Sequence, residues 1–197
     1  MKAGRVVVPL NPSSSDSGIH AMLADAGATF VFATPDHAHR IIPANGVSYV
    51  VASTQAIETL EGWQPYSAWL GDIGDTSPTV AIGPDDFCNI IYSSGTTGEP
   101  KGIVHTHQTR LSWAHDLALA LRYHSGARTL VVTGLYSNIS WGVVLSTLLV
   151  GGTIVLRHAF DPADTLATIA RERITHVGMV PVQFQRLLEH PTFESTD

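Results

Sequence analysis

Short β-branched runs alternate with helix-sized stretches along almost the whole chain, and few folds accept that pattern. Strands separated by helices need crossover connections, so the alternation implies βαβ units, an α/β class and a largely parallel sheet. The second half is the more regular. Residues 88–92 read as a strand, 108–122 as a helix, 130–133 as a strand, 141–150 as an apolar helix and 153–156 as a strand after Gly151-Gly152. Asp161 ahead of Pro162 is a cap before a proline at the first helical position, and that helix is predicted to run to Arg173. Residues 176–180 then read as a strand, and Pro181 opens a last helix to Glu189. In the first half, 6–10 reads as a strand and Ser13-Ser14-Ser15-Asp16 as a capping cluster. Ile19, Met22, Leu23 and Ala26 have helical spacing, with Gly27 at the stop. Strand-like 29–33, a short helix at 36–41 and a strand at 48–52 follow, and 61–84 reads as an irregular connection.

The segment Tyr92-Ser93-Ser94-Gly95-Thr96-Thr97-Gly98-Glu99-Pro100-Lys101-Gly102 carries the chemistry. Glycines let backbone N–H groups close around an anion, hydroxyls add donors, and a lysine supplies a mobile point charge suited to phosphate. The chain has only two lysines, Lys2 and Lys101, against nine arginines. The loop therefore reads as a polyphosphate cradle, with an ordinary Gly/Ser/Thr surface loop as the plainer alternative. It is not the P-loop pattern, because Gly95 and Gly98 stand too close together and Pro100 precedes the lysine. Ligands of parallel sheets gather at the carboxyl ends of strands. The loops 92–102, 134–140 and 180–183 each leave such an end and are expected to converge on one crevice.

Composition removes other classes. A hydrophobic fraction of 44% with 14% charged residues fits a well-buried globular chain. The net charge of −6 and the lack of a basic run argue against nucleic-acid binding. One cysteine, Cys88, allows neither an internal disulfide nor a cysteine-based metal cluster and suits a reducing compartment. No apolar run has the length of a membrane span, no signal peptide is read at the N-terminus, and a cytoplasmic location is expected. His105-Thr106-His107 offers two imidazoles on one face of an extended segment but no third ligand, so no metal is read there.

At the loop and its flanks the chain resembles the adenylate-forming (AMP-binding) superfamily, in its acyl-CoA synthetase and ligase branch. The segment Tyr92 to Gly102 looks like that family's phosphate-binding signature. Ala3-Gly4-Arg5-Val6-Val7-Val8-Pro9-Leu10-Asn11-Pro12, Asp85-Asp86, Gly151-Gly152-Thr153, Phe160-Asp161-Pro162 and Val180-Pro181 follow its layout in order. The resemblance implies that ATP activates a small-molecule carboxylic acid, expected to be fatty, to an acyl-adenylate and pyrophosphate. Coenzyme A then takes the acyl group. By the same resemblance Ser93, Ser94, Gly95, Thr96, Thr97 and Gly98 hold the phosphates, Lys101 neutralises them as the catalytic residue, and Thr96 and Thr97 face Mg²⁺. Tyr136, Asn138, Trp141 and Pro181 are the implied acid-site residues. Where many members carry an aromatic-His or Phe-Asp pair, this chain has Leu135-Tyr136-Ser137-Asn138, which disfavours an α-amino acid.

The family's later motifs, the adenine-stacking Tyr-Gly-x-Thr-Glu and the ribose-binding Thr-Gly-Asp, are not in residues 1–197. The chain is therefore expected to be a partial N-terminal domain of the family, without the C-terminal part of that domain or the small C-terminal domain, and inactive by itself. Two other readings stay open. One is an aryl- or amino-acid adenylation domain of a carrier-protein system, and the other is a truncated, non-catalytic nucleotide-binding paralogue.

Overall fold

The computed structural model describes residues 2–52, 60–71, 74, 76–93 and 100–195. The chain divides into two compact units, residues 1–81 with 90–104, and residues 82–89 with 105–197.

The first unit is built on three short parallel strands, β1 (Phe30–Ala33), β2 (Ser48–Val51) and β3 (Trp63–Pro65), in the order β1-β2-β3. Helix α1 (Asp16–Asp25) starts where the polar cluster predicts, with the Ser15 hydroxyl accepting from the Gly18 N–H, and it ends before Gly27 at φ +57°. Its Ile19 and Met22 pack with Val31, Tyr49, Val51 and Trp63. The Arg40 guanidinium sews the approach to α1 in place: it donates to the Pro12 carbonyl at 2.6 Å, the Ser14 carbonyl at 2.5 Å and Asp16 Oδ1 at 2.8 Å. The short α2 (Pro35–Ala38) and α3 (Tyr66–Leu70) are the other helices of this unit among the described residues.

Three expectations change here. Residues 6–10 form no strand. Val7 alone bridges, its carbonyl accepting from the Ile90 N–H at 3.0 Å, since Pro9 and Pro12 withhold the donors that a ladder needs. The stretch read as irregular, 61–84, holds β3 and α3. And Lys101 does not end a loop but starts a strand, β5 (Lys101–Thr106), paired with β4 (Phe87–Ser93).

In the second unit β6 (Arg128–Val131) lies between β7 (Thr153–Leu156) and β8 (His176–Val177), all parallel. Strand β8 stops at Val177, short of the expected Val180. Helices α5 (Asn138–Leu149) and α6 (Pro162–Glu172) make the crossovers from β6 to β7 and from β7 to β8, while α4 (His107–Ala120) precedes β6 and α7 (Pro181–Leu188) follows β8. Leu130, fully buried on β6, packs with Val132, Leu166, Met179 and Leu187. Helix α5 is fixed to β6 by the 2.6 Å contact of the Thr129 and Thr147 hydroxyls, and to α4 by Ser146 Oγ donating to the Ala114 carbonyl. The Asp161 carboxylate caps α6 by accepting from the Asp164 N–H, as the Asp-Pro pair predicts.

The same unit buries a polar layer made of Asn89, His105 and Arg110 beside Cys88. Burial first, and the nearby Arg110 charge second, push the His105 imidazole below its ordinary 6.5 and keep it neutral.

Two outcomes follow. Leu130→Ala should destabilise the fold by about 2–5 kcal/mol, measured by denaturant unfolding. Because the folded-state pKa of His105 is depressed, the unfolded chain binds the extra proton first as pH falls. Stability should therefore be intact well above pH 6.5 and decline as pH drops below it. Thermal midpoints should show this decline, and a His105→Leu variant should show less of it.

Candidate functional site

The loop that leaves the carboxyl end of β6 is held from inside. After Thr133 it turns at Gly134–Ser137, where the Ser137 N–H donates to the Gly134 carbonyl at 3.0 Å. Two side chains from the first turn of α5 reach back to it. Ser140 Oγ donates to the Thr133 carbonyl at 2.7 Å, and Trp141 Nε1 donates to the Leu135 carbonyl at 2.6 Å. The Tyr136 ring lies against Gly134 so closely that a Cβ there would stand 2.5 Å from its Cε1. A second loop leaves the neighbouring strand β8 and enters α7. The Gln183 side chain accepts from the Val180 N–H at 3.0 Å, and its Oε1 also accepts from Thr133 Oγ1 at 3.3 Å. At Gly178 a Cβ would meet Val143 at 2.8 Å and Ile139 at 2.9 Å, so the second loop is seated directly on α5.

Two of the three loops expected to converge thus do so, at the carboxyl ends of adjacent strands. Of the acid-side residues, Tyr136 and Asn138 are half-buried, Pro181 is exposed at the start of α7, and Trp141 is only 5% exposed. Trp141 is therefore a wall of the loop, with its indole N–H already committed.

Ser94, Gly95, Thr96, Thr97 and Gly98 lie outside the described residues. Their flanks are described. Ser93 ends β4 and Lys101 begins β5, and both are exposed, which leaves hydroxyl and ammonium accessible to an anion. Behind them the Tyr92 hydroxyl donates to Asp25 Oδ2 at 2.6 Å and to the Met22 carbonyl at 3.2 Å, tying the end of β4 to α1. Burial, and then the Asp25 carboxylate, raise the phenol well above its usual range, so it remains a donor. The Tyr92 ring fills the space that a Cβ on Gly102 would need, 3.2 Å away. The signature's aromatic and its final glycine therefore pack together as the base of the loop.

His105 and His107 do not share a face: His105 is buried on β5, Thr106 caps α4, and His107 is its first residue. Among the described residues no group of three or more His, Cys, Asp or Glu is placed to hold a metal ion, and no helix is long and apolar enough to cross a membrane.

One cluster escaped sequence reading. Arg110, 3% exposed, donates from Nε to Asn89 Oδ1 at 2.8 Å and from Nη2 to Asn138 Oδ1 at 2.9 Å. Its guanidinium carbon stands 5.4 Å from the centre of the Trp113 ring and 5.2 Å from that of Trp141. The available signal was a polar residue inside the apolar strand run Cys88 to Tyr92, namely Asn89.

Comparisons with known proteins point to one family. A family model described as AMP-binding enzyme matches residues 1–197. The chain is 34% identical over 198 residues to a feruloyl-CoA synthase of an Amycolatopsis species, covering 100% of this chain and 38% of that protein. It is 27% identical over 200 residues to the long-chain-fatty-acid–CoA ligase FadD13 of Mycobacterium tuberculosis, again covering 100% of this chain and 38% of the relative. Among solved structures, the inhibitor-bound N-terminal domain of FACL13 from M. tuberculosis superposes with a TM-score of 0.84 at 26% identity, over 100% of this chain and 48% of that one. The chain thus spans well under half the length of the curated relatives it matches. The family model matches residues 1–197, and the chain belongs to the AMP-binding enzyme family.

Proposed function

We propose that the chain forms part of the large N-terminal domain of an enzyme that converts a carboxylic acid, ATP and coenzyme A into an acyl-CoA. The observation that carries the reading is the signature from Tyr92 to Gly102, set within a family match that covers the whole chain. In the first half-reaction a carboxylate oxygen attacks the α-phosphorus, and the bond from that phosphorus to the pyrophosphate oxygen breaks. The thiolate of coenzyme A then attacks the acyl carbon, and AMP leaves with the carboxylate oxygen. Bringing two anions together is the main obstacle, so charge neutralisation and positioning supply most of the rate.

In this reading Ser93 to Gly98 cradle the β- and γ-phosphates and Lys101, exposed at the start of β5, faces them. Thr96 and Thr97 would hold a Mg²⁺ ion brought with the nucleotide, which would offset part of the phosphate charge. Tyr136, Asn138 and Pro181 border the acid, and Trp141 supports them from behind. Their loops leave neighbouring parallel strands, the usual place for a ligand in such sheets. The reading includes a cytoplasmic location.

The acid was expected to be fatty. A second reading, an aromatic acid, is favoured by the higher identity to the feruloyl-CoA synthase than to the fatty-acid ligase, 34% against 27%. An α-amino acid fits neither, because the loop from Gly134 to Ser140 offers no carboxylate to its ammonium group.

In the complete enzyme, Lys101→Ala should lower acid-dependent ATP–pyrophosphate exchange by about a hundredfold, the scale for losing one charge-stabilising group at a reacting centre. Exchange at the wild-type rate would remove Lys101 from the mechanism. The same assay run over long-chain fatty acids, hydroxycinnamic acids and α-amino acids should show turnover with one of the first two classes and none with the third. Turnover with amino acids alone would overturn the acyl-CoA reading.

A further inference from the structure

We infer that Arg110 is a positioning residue, one that fixes the acid-side loop by clamping the start of α5 to the buried base of β4. The inference rests on the acid-activating function proposed above.

The geometry is that of a clamp with two jaws. One arm of the guanidinium holds Asn89 on β4, and another holds Asn138, the first residue of α5. The guanidinium carbon also lies over the rings of Trp113 on α4 and Trp141 on α5. The two α5 residues it contacts, Asn138 and Trp141, are the ones that set the loop, because the Trp141 indole is in turn bonded to the Leu135 carbonyl. A shift of the guanidinium therefore moves the segment from Leu135 to Asn138, and with it Tyr136.

A purely structural role explains this poorly. The charge is buried without a salt bridge among the described residues. Three polar atoms of the layer, Arg110 Nη1, Asn89 Nδ2 and His105 Nε2, find no partner there either. Cys88 and His105 are the other titratable groups beside the guanidinium. Burial keeps the first a thiol against the pull of Arg110 and the second uncharged, so neither supplies a counter-charge. A buried ion left this way costs stability, and an apolar pair of similar volume at the same two positions would avoid that cost. What an apolar pair cannot do is hold Asn138. The planar fork can, and a lysine, with a single point charge, cannot reach both amide oxygens in the same geometry.

The test is the double variant Asn89→Val/Arg110→Leu in the complete enzyme, which removes the charge together with its buried partner. Its thermal midpoint should stay at or above the wild-type value. Its KM for the acid should rise about tenfold, the loss expected for one charge-assisted hydrogen bond, while its KM for ATP changes less than about twofold. Arg110→Lys should fall between the two for the acid. A folded double variant with wild-type acid KM overturns the clamp, as does an equal rise in both KM values. If the double variant does not fold, an unchanged acid KM in Arg110→Lys overturns it equally. Wild-type enzyme that shows no acid-dependent exchange removes the functional reading and the clamp with it. Wild-type exchange with unmoved variants removes the clamp alone.

Discussion

Strand β6 has a parallel neighbour on each edge, and most of the second unit follows from that constraint. Parallel neighbours place all three carboxyl ends on one side of the sheet and force each connection to cross back along a helix. The loops after β6 and β8 therefore lie side by side, where Thr133 and Gln183 meet. Burial of β6 on both faces demands apolar or internally satisfied residues. Leu130 meets the first need, and Thr129, bonded to Thr147 on α5, meets the second. That bond also sets the height of α5 against the sheet, and hence where its first turn faces the loop.

Local physics was legible in the sequence because it is decided within a few residues. Ser15 capping α1, Gly27 ending it and Asp161-Pro162 opening α6 all stand where they were expected. The core strands of the second unit were legible from their β-branched runs, although β6 spans Arg128–Val131 and not 130–133, and β8 stops at Val177. Residues 6–10 misled for the converse reason: Val6-Val7-Val8 has strand composition, but prolines and the lack of a long partner reduce it to one bridge at Val7. Strand β3 is three residues long and is held by its pairing to β2, not by its own propensity. The start of strand β5, Lys101-Gly102, was hidden at the end of the signature, whose glycines and proline read as loop. Yet its Lys101 begins a strand whose partner precedes it in sequence.

The site shows the same division. The phosphate signature is a string of contiguous letters and could be read as such. Its structural base could not, because the Tyr92 hydroxyl finds Asp25, which is 67 positions away. Arg110 is a sharper case. On a helical wheel it is one polar residue among many, and only the fold brings Asn89, 21 positions before it, and Asn138, 28 positions after it, onto the same guanidinium. Trp141, read as an acid-side residue, is buried and braces the loop through its indole N–H.

The proposed acyl transfer passes through an adenylate, and the path of one oxygen atom tests that directly. The complete enzyme is supplied with the acid labelled with ¹⁸O in its carboxylate, together with ATP and coenzyme A, and the products are separated and weighed by mass spectrometry. Attack of the carboxylate on the α-phosphorus carries one label into AMP, which is the predicted result. Label in inorganic phosphate with ADP as the co-product, or unlabelled AMP beside a fully formed thioester, would contradict it.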